Sequence, residues 1–397
     1  MEFISSRIKR ISVSQTLEMA KRSTELKEKG IDIIDLSIGQ PDFPTPEHIK
    51  RAAIEAIERN YTFYTPVAGY SKLRGAIVDK LKRENNLDYH KKQIVVSSGA
   101  KQALANTLLT LIDEGDEIIV PTPYWVSYAE IDNLAHGKNV FIKTTIKNDY
   151  KITAEQLENA ITPKTRALLY SSPSNPSGSV YSYKELEALA KVIEKHPKVH
   201  VVSDEIYEHI NYVGKHESIA QFDFIKDRVI VINGMSKGYA MTGWRLGYMA
   251  APQWIADLSI KLQGQYTSCA SSISQRAAYA ALTKDNVYTL GMNAAFQKRR
   301  DLIVKSLKEI PGLIANVPQG AFYAFPDVSS YYGRSDTYIS IKNSSDLSMY
   351  LLNEAHVATV PGIAFGNPEC IRFSYAASTS NIIEAMKRVK VALGRIR

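Results

Sequence analysis

The chain has 397 residues, 45% hydrophobic and 23% charged, which is globular composition in a length that buries a full core without disulfide staples. Its two cysteines, Cys269 and Cys370, form neither a CxxC nor a zinc-spaced cluster, which argues against a secreted disulfide scaffold and for a reducing cytoplasm. The net charge of +8 (49 basic, 41 acidic) comes from basic residues interleaved with acids, as in "KRSTELKEKG", so it suits solvated helix faces and small anionic substrates better than nucleic acid.

The N-terminus, "MEFISSRIKRISVSQ", is basic but lacks a signal peptide's apolar core. No apolar run reaches the ~18 residues that would span a membrane. "QTLEMAKRSTELKEKG" then reads as an amphipathic helix. "QIVVSS" is a strand, and "AKQALANTLLTLIDEG" has a helical period that closes at Gly115. The strand "DEIIVP" leads to "YWVSYAEIDNLAHG", and "NVFIKT" to the polar helix "TAEQLENAI". The strand "TRALLYS", the helix "SYKELEALAKVIEKH" and the strands "VHVVSD", "RVIVING" and "RLGYMA" follow. Short, continuously apolar strands separated by helices predict an α/β fold around a mostly parallel sheet. Toward the C-terminus the rhythm changes to that of a smaller α+β unit, with "GAFYAFPDV", "VATVPG" and "CIRFSYA" between helices. The expected division is a large domain over 46–285, with 1–45 and 286–397 forming an arm and a small domain.

Ligands in such sheets bind at the carboxyl ends of the strands. The chain has no GxGxxG after the first strand, no GxxxxGK[ST], no HExxH and no GxSxG, so dinucleotide, P-loop, zinc-protease and α/β-hydrolase readings lose their main support. One strand-to-helix junction remains: Ser98, Gly99, Ala100 and Lys101 in "IVVSSGAKQAL", where free N–H groups and the helix dipole favour an anion. Other strand ends carry Trp125 in "PTPYWVSY", Asn175 in "SSPSNPSG", Asp204 and Tyr207 in "SDEIYEHI", and Ser236, Lys237 and Arg245 in "MSKGYAMTGWR". Singly, each has a structural explanation: a core aromatic, a turn, a helix cap. Together they supply what a pyridoxal phosphate (PLP) ring needs: an amine for the aldehyde, an acid by the pyridine nitrogen, donors for the ring oxygen, a stacking face and an anion cradle.

In this order the motifs SSGAKQA, YW, SNPSG, SDEIY, SKGYAMTGWR and FSYA resemble the class I aminotransferases of fold type I, above all the bacterial aspartate/prephenate subgroup. The resemblance runs from "LSIGQPDF" to "IRFSYAAS" and implies roles position by position. Lys237 matches the lysine that holds the cofactor covalently and then carries the proton. Asp204 matches the partner of the pyridine N–H. Asn175 and Tyr207 match the ring-oxygen donors, and Trp125 the stacked aromatic. Gly99, Ala100, Ser236 and Arg245 match the phosphate cradle. Tyr64 matches a tyrosine that reaches the phosphate of the neighbouring subunit, which implies a homodimer. Arg372 and Gly39 match the grip on the substrate α-carboxylate. Lys101 matches a lysine that contacts a side-chain carboxylate, with Ser14 and Thr16 as hydroxyls nearby.

The implied reaction is PLP-dependent transfer of the amino group of L-aspartate to 2-oxoglutarate. Prephenate or an aromatic amino acid is the alternative, and a catalytically silent PLP-binding regulator a more distant one. The substrates are small amino and 2-oxo acids, and no metal, nucleic acid or membrane is expected.

Overall fold

The structure is a computed structural model; it describes residues 3–13, 15–284, 287–336 and 339–397. All seven expected central strands form and pair into one sheet. Across the sheet they run Ile94–Ser97, Gly247–Ala250, Val229–Gly234, His200–Asp204, Thr165–Ser171, Glu117–Thr122 and Lys138–Lys143. Four neighbouring pairs are parallel; Gly247–Ala250 alone runs antiparallel to both strands beside it.

The two-residue side-chain period divides each strand between two cores. Leu168, Val201 and Val231 face one layer of helices, and Leu169, Val202 and Ile232 the other. Each such buried aliphatic side chain contributes about 1.5–3 kcal/mol of transfer free energy. Helix starts follow local chemistry: Ser182 and Glu185 form a reciprocal capping box ahead of Tyr183–Lys195, as do Thr153 and Gln156 ahead of Ala154–Ala160. The helix expected to close at Gly115 stops earlier, spanning Ala100–Leu111. There the Asp113 carboxylate caps the Glu114 N–H, Asp116 accepts from the Asp113 N–H, and Gly115 takes a positive φ, so the chain turns instead of adding a helical turn.

A separate core gathers Leu36, Phe296, Leu307, Phe322, Tyr323, Leu351, Phe373 and Val389, and also takes in Ile206 and Tyr207 from the end of a central strand. Its strands are short. Tyr323–Ala324 and Val360–Pro361 flank Ile371–Ser374 in an antiparallel sheet, and Ile34–Asp35 pairs in parallel with Val357–Ala358. Among the described residues no helix is long and apolar enough to cross a membrane.

Candidate active site

A cleft of about 400 Å3 opens at the carboxyl ends of the central strands, between the large sheet and the second core. It is lined by Thr16, Gly39, Ala100, Lys101, Trp125, Asn175, Asp204, Tyr207, Ser236, Lys237, Arg245 and Arg372, so residues from opposite ends of the chain meet there.

Asp204 is the last residue of its strand and is buried. Its Oδ2 accepts from the Tyr128 hydroxyl at 2.7 Å and its Oδ1 from the Ile206 N–H at 3.2 Å. Burial pushes its carboxyl up to about 6, against the downward pull of the Tyr128 hydrogen bond. Lys237 follows the strand Val229–Gly234 and donates from Nζ to the Gly39 carbonyl at 2.5 Å. Burial and the nearby guanidinium groups of Arg372 and Arg245 bring its amine down to about 7. The side chain is partly open to the cleft, so water there tempers that shift.

Arg372 is almost wholly enclosed. Its Nη1 donates to Asn175 Oδ1 at 3.0 Å and its Nη2 to the Ser37 carbonyl at 2.6 Å, and its guanidinium stacks 4.4 Å from the centre of the Tyr323 ring. The Asn175 loop is pinned to the other core, because the Gly178 carbonyl accepts the N–H groups of Gln319 and Gly320 at 2.8 Å each. Trp125 packs edge-on against Tyr128 and carries Lys101 Nζ 4.9 Å from its ring centre. Lys101 is the second residue of its helix and stays exposed at the cleft mouth.

Gly99 precedes that helix with φ 92°, and a Cβ there would lie 2.4 Å from Arg245 Nη2. Glycine thus lets Arg245 lie across the helix N-terminus. Arg245 itself has φ 52° and donates to the Thr242 carbonyl at 3.0 Å, which aims it back over the junction.

Among the described residues, one expected residue falls elsewhere. Tyr64 does not line the cleft of its own chain; it stands 92% exposed beside an equally outward Phe63. Ser14 lies outside the described residues. Two tyrosines in the site were missed from the sequence. Tyr128, the second residue of the helix Ser127–Leu134, holds Asp204, and its place three residues after Trp125 in "PTPYWVSY" could have marked it. Tyr323 bonds Tyr207 hydroxyl to hydroxyl at 2.8 Å, and nothing in "GAFYAFPDV" marks it.

Known proteins can now be set beside this geometry. The pattern of the aminotransferase class I and II family matches residues 31–389. The chain is 47% identical over 399 residues to a protein of Petunia hybrida named bifunctional aspartate aminotransferase and glutamate/aspartate-prephenate aminotransferase, covering 99% of this chain and 83% of that one. It is similar to the solved aspartate aminotransferase of Rhizobium meliloti (TM-score 0.96, 43% identity, 99% of both chains). It is also similar to that of Thermus thermophilus with maleate (TM-score 0.93, 37% identity, 99% of this chain and 100% of that one). The chain therefore belongs to the class I and II aminotransferases, PLP-dependent enzymes of the fold whose strand ends build this cleft.

Proposed function

We propose that the enzyme moves the amino group of L-aspartate to 2-oxoglutarate in a ping-pong cycle, as a cytoplasmic homodimer. The observation that carries the substrate class is the sharing of one cleft by two cations: Arg372, enclosed at its wall, and Lys101, at its mouth. A dicarboxylate answers both. A cation in the first turn of a helix is electrostatically misplaced unless an anion joins it. The Rhizobium and Thermus relatives carry the name aspartate aminotransferase, and maleate is itself a dicarboxylate. Prephenate is the second reading, favoured by the name of the Petunia relative.

The cleft fits PLP by its own chemistry. Four basic side chains line it against one carboxylate, Asp204, among the described residues. Arg372 Nε is buried without a partner, and Gly99 leaves the junction free for Arg245. When bound, PLP supplies an electrophilic aldehyde carbon and an electron-accepting ring. Gly99, Ala100, Ser236 and Arg245 would hold its phosphate, with Tyr64 serving the neighbouring subunit, a role that suits its outward position. Trp125 would cover one ring face. Asn175 and Tyr207 would meet the ring oxygen. Asp204, costly to ionise alone, becomes an anion readily once a pyridine N–H faces it.

Lys237 would hold the cofactor covalently through Nζ and, as a free amine, would take the proton from the substrate Cα and pass it on to the cofactor rather than back to Cα. Arg372 presents a flat fork to the α-carboxylate, and the Gly39 backbone closes over it. Thr16, which lines the same cleft, would join Lys101 at the other end of the substrate. We further propose that 46–285 and the remainder act as two domains, a division supported by the separate second core. The cytoplasmic placement rests on two unpaired cysteines.

The test is spectral. L-Aspartate added to the purified yellow protein should convert its visible band at once, and L-phenylalanine and L-alanine should not. Response to phenylalanine alone would keep the aminotransferase and overturn the dicarboxylate assignment.

A second expectation concerns pH. Only the uncharged Lys237 amine can capture added PLP. Below about 7 the capture rate should therefore rise about tenfold per pH unit, and above that it should level off. Stopped-flow absorbance on the apoprotein reads this directly. A rate still climbing at pH 10 would mean an ordinary lysine.

A further inference from the structure

Tyr323 touches three parts of the machinery without being assigned to any of them. It lies on the short strand Tyr323–Ala324, paired through Ser374 to the strand that carries Arg372. Residues 372 and 374 share a face of that strand, which brings the guanidinium over the Tyr323 ring at 4.4 Å. Its hydroxyl is 2.8 Å from that of Tyr207, and both tyrosines are buried and line the cleft. On another side Gly39 closes in, since a Cβ there would lie 2.8 Å from Tyr323 Oη.

A hydroxyl has one proton to give, so in this pair one oxygen donates and the other accepts. We propose that Tyr323 is a positioning residue for amino transfer: its hydroxyl donates to Tyr207 and so turns the Tyr207 proton into the cleft, toward the ring oxygen of the cofactor. The direction follows from the surroundings. The Arg372 cation over the Tyr323 ring makes that phenol the more acidic of the two, and the more acidic hydroxyl is the donor. Burial and the Tyr323 hydroxyl hold Tyr207 further up. A Tyr207 that receives a hydrogen bond is also a stronger donor, because chained hydrogen bonds polarise one another.

The inference rests on the cofactor reading above, and its test separates the two. The readout is the pH midpoint of the visible band of the PLP-loaded protein without substrate. A proton aimed at the ring oxygen favours its ionised form and lowers that midpoint. Tyr323→Phe keeps the ring over Arg372 and removes only the hydroxyl. It should raise the midpoint by about 0.3–0.7 pH unit and leave KM for L-aspartate unchanged. Tyr207→Phe should raise it further, and the double variant should match Tyr207→Phe alone, because Tyr323 acts through Tyr207. An unmoved midpoint in Tyr323→Phe, or a shift of full size in the Tyr207→Phe background, overturns the proposal. So does a raised KM with no shift, which would mark mere packing against Arg372. If Tyr323→Phe does not accumulate folded, Gly39→Ala displaces the same hydroxyl, and the same upward shift is required of it. A wild-type protein with no visible band at all would instead overturn the cofactor reading.

Discussion

Lys237→Ala should lower kcat for amino transfer by roughly 10^4-fold, the top of the range for one positioned proton carrier, because in the proposed mechanism the same atom is also the covalent anchor. The side chains around it give no substitute. Arg372 is tied to Asn175 and Ser37 and Arg245 to Thr242, Lys101 stands at the mouth over Trp125, and the Tyr207 phenol is held far above its usual range by burial. Asp204, Trp125 and the Gly99–Arg245 junction are untouched by the change, so the variant should still retain PLP without the covalent link. A coupled turnover assay and a spectral titration with PLP check both halves. Activity within tenfold of wild type would remove Lys237 from the mechanism.

Arg372→Ala should lower kcat/KM for L-aspartate by about 10^2–10^3, corresponding to the 2–5 kcal/mol lost when one partner of an enclosed, hydrogen-bonded charge pair is removed. The alanine also strands Asn175 Oδ1 and the Ser37 carbonyl, whose partners it removes, and an unmet buried acceptor costs about 1–3 kcal/mol. A drop in Tm should therefore accompany the kinetic loss. Arg372→Lys tells charge from geometry. One ammonium cannot reach Asn175, Ser37 and a carboxylate as the planar fork does, so it should recover stability more than kcat/KM. Steady-state kinetics with thermal melts decide this, and an unchanged kcat/KM in either variant would place the carboxylate elsewhere.

The central strands were legible because most are short apolar runs separated by helical periods, although the edge strand Lys138–Lys143 has only Val140, Phe141 and Ile142 as its apolar core. The reversed direction of Gly247–Ala250 was not, since hydropathy carries no sign for strand direction. The site was legible for a related reason. Its polar residues stand where apolar runs stop, as Asp204, Asn175 and Lys237 do. Tyr128 and Tyr323 escaped because what they do depends on packing between elements. Tyr323 meets Tyr207 across 116 residues of chain, and the Arg372 bond to Ser37 spans 335. Tyr64 stands apart in another way: 92% exposed in its own chain, it has its implied use only beside a second copy.

The reversed strand has a consequence for how the protein matures. Gly247 pairs with Ser97 and lies so close to the following helix that a Cβ would fall 2.2 Å from the Ala100 nitrogen. The first strand of the sheet is thus closed by the last, and the halves of the proposed anion cradle, Gly99–Ala100 and Ser236–Arg245, exist as a unit only after that closure. Pairing across so long a loop is intrinsically slow, because its entropy is lost before any contact compensates. During synthesis Lys237 leaves the ribosome before the strand that completes its pocket. On the proposed assignment, cofactor uptake thus reports a finished sheet edge, and a chain arrested before Gly247 would carry the amine but no seat for the phosphate.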